Sequence, residues 1–308
     1  MGNPAKTLRD TIKETVRHHL LNENGQAYGQ CLTAVGWVGG TLPKLYEENG
    51  MIELSMADVA GGGIVVGAGL MGRRPIYVIR YQGFNWFNSP IIANYACKSK
   101  EIWKNPCPIF IRSVAMEGSI GPVAGSSHHA LYYRMPGIKI VSPMTSDEYR
   151  SIYKDFMKND DVVYVSEHRG AYGFSGVLDN IYYDNPDVVL FPISITRFAA
   201  VEASIELKKK GIKVSVIHQL WLKPFDFKDK WKSQLHNSKY GGIVVDDDYV
   251  DGIGKCLAHD MMMEINKKVR VMGLENKSAG FHKTVDNLPP NKDQIIEKII
   301  TLINREVV

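Results

Sequence analysis

The strongest constraint on this chain is an alternation. Short apolar runs, "RPIYVIRY", "CPIFIRSV", "IKIVSP" and "DVVYVSEH", are separated by stretches with helical spacing such as "IVVGAGLMG", "IIANYACKSKEIW" and "SDEYRSIYKDFMKN". Buried strands of this kind, each followed by a helix long enough to cross back over them, predict a parallel sheet with helices on both faces. The chain opens on "TLRDTIKETVRHHLL", where Leu8, Ile12, Val16 and Leu20 recur at helical spacing and predict an amphipathic first helix. In "TSDE", Thr145 or Ser146 is placed to cap a helix whose first turn carries acids.

The rhythm fails between Gly170 and Pro192, where Gly, Asn, Asp and Tyr dominate and no period is sustained. It resumes in "FAAVEASIELKKKG" (helix), "IKVSVIHQLWLKP" (strand), "KDKWKSQLHNS" (helix), "YGGIVVDDD" (strand), "GIGKCLAHDMMMEINKK" (helix), "VRVMGLEN" (strand) and a closing helix. Two α/β domains are therefore expected, 1–175 and 191–308, joined by a linker at 176–190. A chain of 308 residues is long enough for two cores.

Composition excludes several classes. With 44% hydrophobic and 23% charged residues this is a globular chain, and no low-complexity tract interrupts it. The first twenty residues are charged throughout, unlike a signal peptide, and the apolar run at 59–72 is too short and glycine-rich to span a bilayer. Lys6 stands where a myristoylation motif requires Ser or Thr. A cytoplasmic protein without a membrane partner is expected. The net charge of +4 is mild and the lysines are scattered, so they read as solvated faces and not as a nucleic-acid site. Four cysteines, Cys31, Cys97, Cys107 and Cys256, form no C-x-x-C pair, which argues against a disulfide framework and a structural zinc site.

One acid stands out. In "SMADVAGGGIVVGAGLMG", Asp58 lies between an extended run and a glycine-rich helix, where it is suited to cap that helix or to serve a cofactor. The glycines do not make a dinucleotide fingerprint, since no G-x-G-x-x-G opens the helix with an acid about twenty residues on. Close packing of the helix across a subunit interface is the plainer reading.

The ordered phrases "GMIELSMADVAGGGIVVGAGLMGRRPI", "NPCPIFIR", "SSHHAL", "MPGIKIVSPMTSDEYRSIYK", "VVYVSEHRGAYG" and "IKVSVIHQLWLKPFD" resemble the β subunits of thiamine diphosphate dependent 2-oxo acid dehydrogenases. More loosely they resemble the C-terminal half of transketolases and deoxyxylulose phosphate synthases. The resemblance runs from about residue 25 to the end. It implies a pyrimidine-binding thiamine-enzyme domain followed by a transketolase C-terminal domain, with the glycine-rich helix in a dimer core. It also implies thiamine diphosphate and Mg2+ as cofactors. In the family the diphosphate and metal are held by a domain with a "GDG…N" signature, and this chain contains no GDG triplet. The resemblance therefore implies a separate α-type subunit, an α2β2 assembly, and a small 2-oxo acid or ketose as substrate.

The family's cofactor-activating acid is a glutamate, and an ungapped match places it at Asp58, one methylene shorter, a difference of about 1.5 Å. Three readings stay open: Asp58 activates the cofactor, Asp58 only caps the helix, or the subunit has lost ordinary activation. The family's ring-stacking aromatic matches Gln82, with Tyr81 and Phe84 as neighbours able to stack on a flat heterocycle or to pack in the core. His128 and His129 correspond to the family's substrate-channel histidines and are suited to proton transfer near neutral pH, although the segment that follows them is shorter than in the family. Metal binding is disfavoured, because adjacent histidines point apart. In "SEHRGAYG", Arg169 is expected in a structural ion pair, or else on an acidic substrate; His218, Trp221 and Pro224 read as structural. The resulting expectation is an E1-like or transketolase-like enzyme subunit that decarboxylates a 2-oxo acid or transfers a two-carbon or acyl unit. The alternative is a non-catalytic scaffold that keeps the fold.

Overall fold

The structure, a computed structural model, describes residues 6–117, 123–280 and 286–306. It divides into two compact units, the first running to Val177 and the second resuming at Leu178. In chain order the first unit contains α1 (Leu8–Asn22), β1 (Ala27–Gln30), α2 (Ala34–Gly40), β2 (Met51–Leu54), α3 (Asp58–Leu70), β3 (Ile76–Ile79), α4 (Asn85–Ile91) and α5 (Cys97–Ile102). It continues with β4 (Phe110–Ala115), α6 (Ala130–Tyr133), β5 (Ile138–Val141), α7 (Ser146–Lys158) and β6 (Val162–His168). The strands lie in the order β2-β1-β3-β4-β6-β5 and every pairing among them is parallel.

Burial explains why the apolar runs become the central strands. Every residue of β3, β4 and β6 is buried, as expected for strands covered on both faces. The register sets Ile76 beside Phe110 and Phe110 beside Val163. Helix α1 buries the stripe Leu8, Ile12, Val16 and Leu20, and its first turn is held by the Thr7 hydroxyl, which accepts from the Asp10 N–H at 3.2 Å. Helix α7 starts with the expected cap: Thr145 and Glu148 form a reciprocal capping box. Its buried Tyr149 and Phe156 meet Phe110 of β4 with ring centroids 5.9 and 5.2 Å apart.

Two local features depart from the expected pattern. The "IIANYACKSKEIW" helix is broken by a π-turn at Ile92–Ala96 between α4 and α5. In α2 the backbone turns left-handed, with φ between 51° and 78° from Gly36 to Gly40, including Trp37 and Val38. Three glycines make this run feasible, since a side chain in that conformation costs roughly 1–2 kcal/mol.

The second unit holds β7 (Val188–Pro192), α8 (Thr196–Lys209), β8 (Val214–Val216), β9 (Trp221–Lys223), α9 (Asp229–His236), β10 (Gly242–Tyr249), α10 (Ile253–Ile265), β11 (Val269–Leu274) and α11 (Lys292–Glu306). Its parallel sheet runs β11-β10-β7-β8. Its first strand starts at Val188, inside the stretch read as linker from sequence. The single strand expected over "IKVSVIHQLWLKP" is instead two short ones, β8 and β9. Val188, Leu190, Val214, Val216, Ile243 and Val245 form its core against α8 and α11. Among the described residues no helix is long and apolar enough to cross a membrane.

Candidate functional site

In the first unit, β1, β3, β4 and β6 run parallel and adjacent, so the chain leaves all four at the same edge of the sheet. Such an edge is where open α/β sheets receive ligands. A cavity of about 200 Å3 lies beyond β1 and β3, lined by Cys31, Asp58, Tyr77, Arg80, Tyr81 and Phe84 among others. The structure thus brings together three of the residues singled out from sequence, Asp58, Tyr81 and Phe84. Tyr81 and Phe84 have ring centroids 6.0 Å apart at 42°.

Asp58 is the first residue of α3, one position past the cap. The cap itself is Ala57, which has no side chain for the task, and no side-chain capping bond forms. The capping reading is therefore corrected: the turn places Ala57 at the cap and leaves the half-buried Asp58 carboxylate on the cavity wall. It accepts no hydrogen bond from the described residues. Burial first, and the Asp58 charge second, push the Tyr77 hydroxyl above the ordinary phenol range, so Tyr77 faces the acid protonated.

Helix α3 can sit close to α4 and to the segment leading into β4 because of two glycines. A Cβ on Gly69 would meet the Cys107 sulfur at 2.6 Å, and one on Gly62 would meet the Asn88 Cβ at 3.0 Å. Burial pushes the Cys107 thiol up to about 12, so it behaves as an inert apolar group. Gly63 and Gly67 face outward with nothing within 4 Å. Glu53, at the end of β2, holds the other wall: it accepts from the Leu32 N–H at 2.8 Å and from the Thr33 N–H at 3.2 Å, fixing the turn after Cys31.

Gln82 does not line this cavity. It is fully buried; its Nε2 donates to Ser166 Oγ at 2.8 Å, and its Oε1 accepts from the His128 N–H at 2.6 Å and the Tyr164 hydroxyl at 3.1 Å. An amide with its groups so committed pegs the histidine loop to β6 and offers no stacking face. Nor do His128 and His129 line the cavity. His128 is held down to about 4 by burial, and its Nδ1 accepts from the Trp86 indole at 3.5 Å. His129 is buried, with Nδ1 3.2 Å from Ser166 Oγ.

Arg169 is exposed and makes no ion pair with the described residues. The ion pair expected for it belongs to Arg112 and Glu167, both fully buried, with Nε to Oε1 at 2.7 Å and Nη2 to Oε2 at 2.9 Å. Tyr172 and Tyr149 also donate to Glu167, at 2.7 and 3.3 Å. Arg80 and Tyr77 went unnoticed in the sequence reading. The signal for Arg80 was a lone charge ending the apolar run "IYVI".

The family description "Transketolase, pyrimidine binding domain" matches residues 14–175, more than half of the chain, and "Transketolase, C-terminal domain" matches residues 179–295. This chain belongs to the transketolase family. A curated relative of this transketolase-family chain is acetoin:2,6-dichlorophenolindophenol oxidoreductase subunit beta of Cupriavidus necator, 28% identical over 234 residues, covering 70% of this chain and 68% of the relative. Another is pyruvate dehydrogenase E1 component subunit beta of Rickettsia felis, 21% identical and covering 95% of this chain and 97% of the relative. Both are β subunits of enzymes, which favours the catalytic expectation over the scaffold. The fold agrees with a structure described as a split gene transketolase, inactive beta4 tetramer, at TM-score 0.71 and 16% identity over 97% of this chain and 99% of that one. It also agrees with a Pichia stipitis transketolase mutant at TM-score 0.72 and 12% identity, over 99% of this chain and 47% of that one.

Proposed function

We propose that this chain is the β-type subunit of a thiamine diphosphate dependent enzyme that decarboxylates a 2-oxo acid or transfers a two-carbon or acyl unit together with an α-type subunit. The observation that carries the reading is the Asp58 carboxylate, without a hydrogen-bond donor among the described residues, on the wall of a cavity that also presents Tyr81 and Phe84. This set fits a flat, nitrogen-bearing ring: aromatic faces to stack on it and an acceptor for a protonated ring nitrogen. The cofactor, when bound, supplies the electron sink for breaking a bond to a carbonyl carbon. Asp58 would hold the ring nitrogen's proton, Tyr81 and Phe84 would orient the ring, and Glu53 would keep the Cys31 wall in place. His128 stays neutral at physiological pH and so is suited to donate or accept one hydrogen bond without carrying charge.

Mg2+ falls to the partner in this reading, because the chain has no GDG triplet. The partner reading draws support from exposed apolar side chains on α3 and α4: Val59, Ile64, Trp86 and Phe87 are each more than half exposed. A cytoplasmic location is part of the same proposal. Titrating thiamine diphosphate and Mg2+ into this chain mixed with its α-type partner, followed by calorimetry, should give saturable binding. A mixture that binds no cofactor would sink the proposal.

A further inference from the structure

The proposed function leaves Tyr77 of β3 without a task, although it sits in the same cavity wall as Asp58. The residue is buried, and its hydroxyl lies against the first turns of α3. A Cβ on Gly61 would meet that hydroxyl at 3.5 Å and Leu54 Cδ1 at 3.2 Å, so a glycine here lets the phenol come up to the helix. Asp58 precedes Gly61 by one helical turn, and residues so spaced share a face. The phenol is therefore directed at the stretch of helix that carries the acid. Asn88 Nδ2 donates to the Tyr77 oxygen at 3.4 Å, which leaves the phenolic proton without an acceptor among the described residues. Asp58 has the converse lack, since its carboxylate accepts from no donor among them. The two groups make no direct hydrogen bond, but the cavity of about 200 Å3 that both line has room between them for a water, which takes roughly 30 Å3. Burial and the Asp58 charge keep the phenol protonated, so at neutral pH it stays a neutral donor. The other titratable or charged groups around the pair are Cys31 past β1, Arg80 and Tyr81 past β3, and Tyr132 of α6.

We propose that Tyr77 is a positioning residue for Asp58: one water held between the phenolic hydroxyl and the carboxylate fixes the acid on the cavity wall, with its other oxygen turned to the ring site. The inference rests on the reading of this cavity as the ring site, since that reading gives the acid its ligand. A carboxylate one methylene shorter than the family's glutamate has less reach, so its alignment matters more. Free rotation lowers the fraction of molecules in which it points at the ring nitrogen. A donor behind it removes that freedom and favours its ionised form.

The test has two arms, both built on Y77F, which keeps the ring and removes only the hydroxyl. In the first, the Asp58 carboxyl is titrated by 13C NMR in the full chain without cofactor, its signal assigned by its loss in D58A. Losing a donor raises a carboxyl pKa, so the midpoint should lie about half a unit to one unit higher in Y77F than in the wild type. Cys31, Arg80, Tyr81 and Tyr132 are present in both, so the difference isolates the hydroxyl. Equal midpoints overturn the proposal. In the second, thiamine diphosphate with Mg2+ is titrated calorimetrically into the chain with its α-type partner, for the wild type, Y77F, D58A and the double variant. Binding stays measurable in D58A because in this reading the partner holds the diphosphate. Y77F should weaken binding about threefold to tenfold where Asp58 is present and change nothing in the D58A background. A loss of equal size in both backgrounds overturns action through Asp58 and makes Tyr77 a packing residue. If the wild-type mixture binds no cofactor, the proposed function fails, while the first arm still decides whether Tyr77 holds the acid.

Discussion

Asp58 and Glu167 show how differently two carboxylates can be used within one unit. Asp58 is half-buried and accepts no hydrogen bond from the described residues, whereas Glu167 is fully buried and its oxygens are taken up by Arg112, Tyr149 and Tyr172. The first is free to meet a ligand; the second is part of the core. Asp58→Asn should therefore lower turnover of the assembled enzyme by at least tenfold while shifting the melting temperature little, because no internal partner is lost. A variant that melts much lower but turns over normally would assign Asp58 a structural role. Glu167→Ala should behave in the opposite way, costing about 3–5 kcal/mol in chemical denaturation, since it strands the Arg112 charge in the interior. Burial of that pair was not legible in "SEHRG". Arg112 lies fifty-five positions away, and only the β4–β6 register brings the two together.

The glycines of α3 divide by face. Gly69 has no room, with the Cys107 sulfur 2.6 Å from where a Cβ would sit, while Gly67 has nothing within 4 Å. Gly69→Ala is expected to destabilise the chain by about 1–3 kcal/mol through overpacking. Gly67→Ala should stabilise the isolated chain by up to about 1 kcal/mol, as an exposed helical glycine exchanged for alanine does. If the outward face is covered in the assembly, the same substitution weakens association with the partner, read by size-exclusion chromatography against concentration. Gains in both stability and assembly would show that this face stays free. The sequence reading took all these glycines as one interface signal. The structure assigns Gly62 and Gly69 to packing inside the chain, because helical period puts both on the buried side of α3, against Asn88 and Cys107, and leaves Gly63 and Gly67 facing outward.

At the scale of the whole molecule, both units carry buried histidines held neutral. Burial keeps His19 and His128 down to about 4 in the first unit and His218 down to about 3 in the second. Unfolding releases them to the ordinary value of 6.5, so between pH 6.5 and about 4 the unfolded chain binds more protons and stability falls as pH falls. His19, fully buried, contributes about 3 kcal/mol to that loss at most. Urea unfolding measured from pH 7 to pH 4 should show the decline, and His19→Gln should flatten it; an unchanged slope would refute the assignment.

What the residues alone determined is set by local periodicity. The parallel α/β class, the amphipathic α1, the Thr145 cap and the fully buried strands β3, β4 and β6 follow from spacing and composition, which act over a few residues. The order of the motifs located Asp58. The tertiary structure decided which way side chains point after a strand ends. There, the 3-10 turn at Gln82–Phe84 buries Gln82 while Tyr81 reaches the cavity wall. It also decided that Arg80 and Arg169, eighty-nine positions apart in sequence, share one cleft, because parallel strand order makes neighbours of β3, β4 and β6. Strand pairing is a long-range choice made by burial of whole faces, and no local stretch of the chain encodes it.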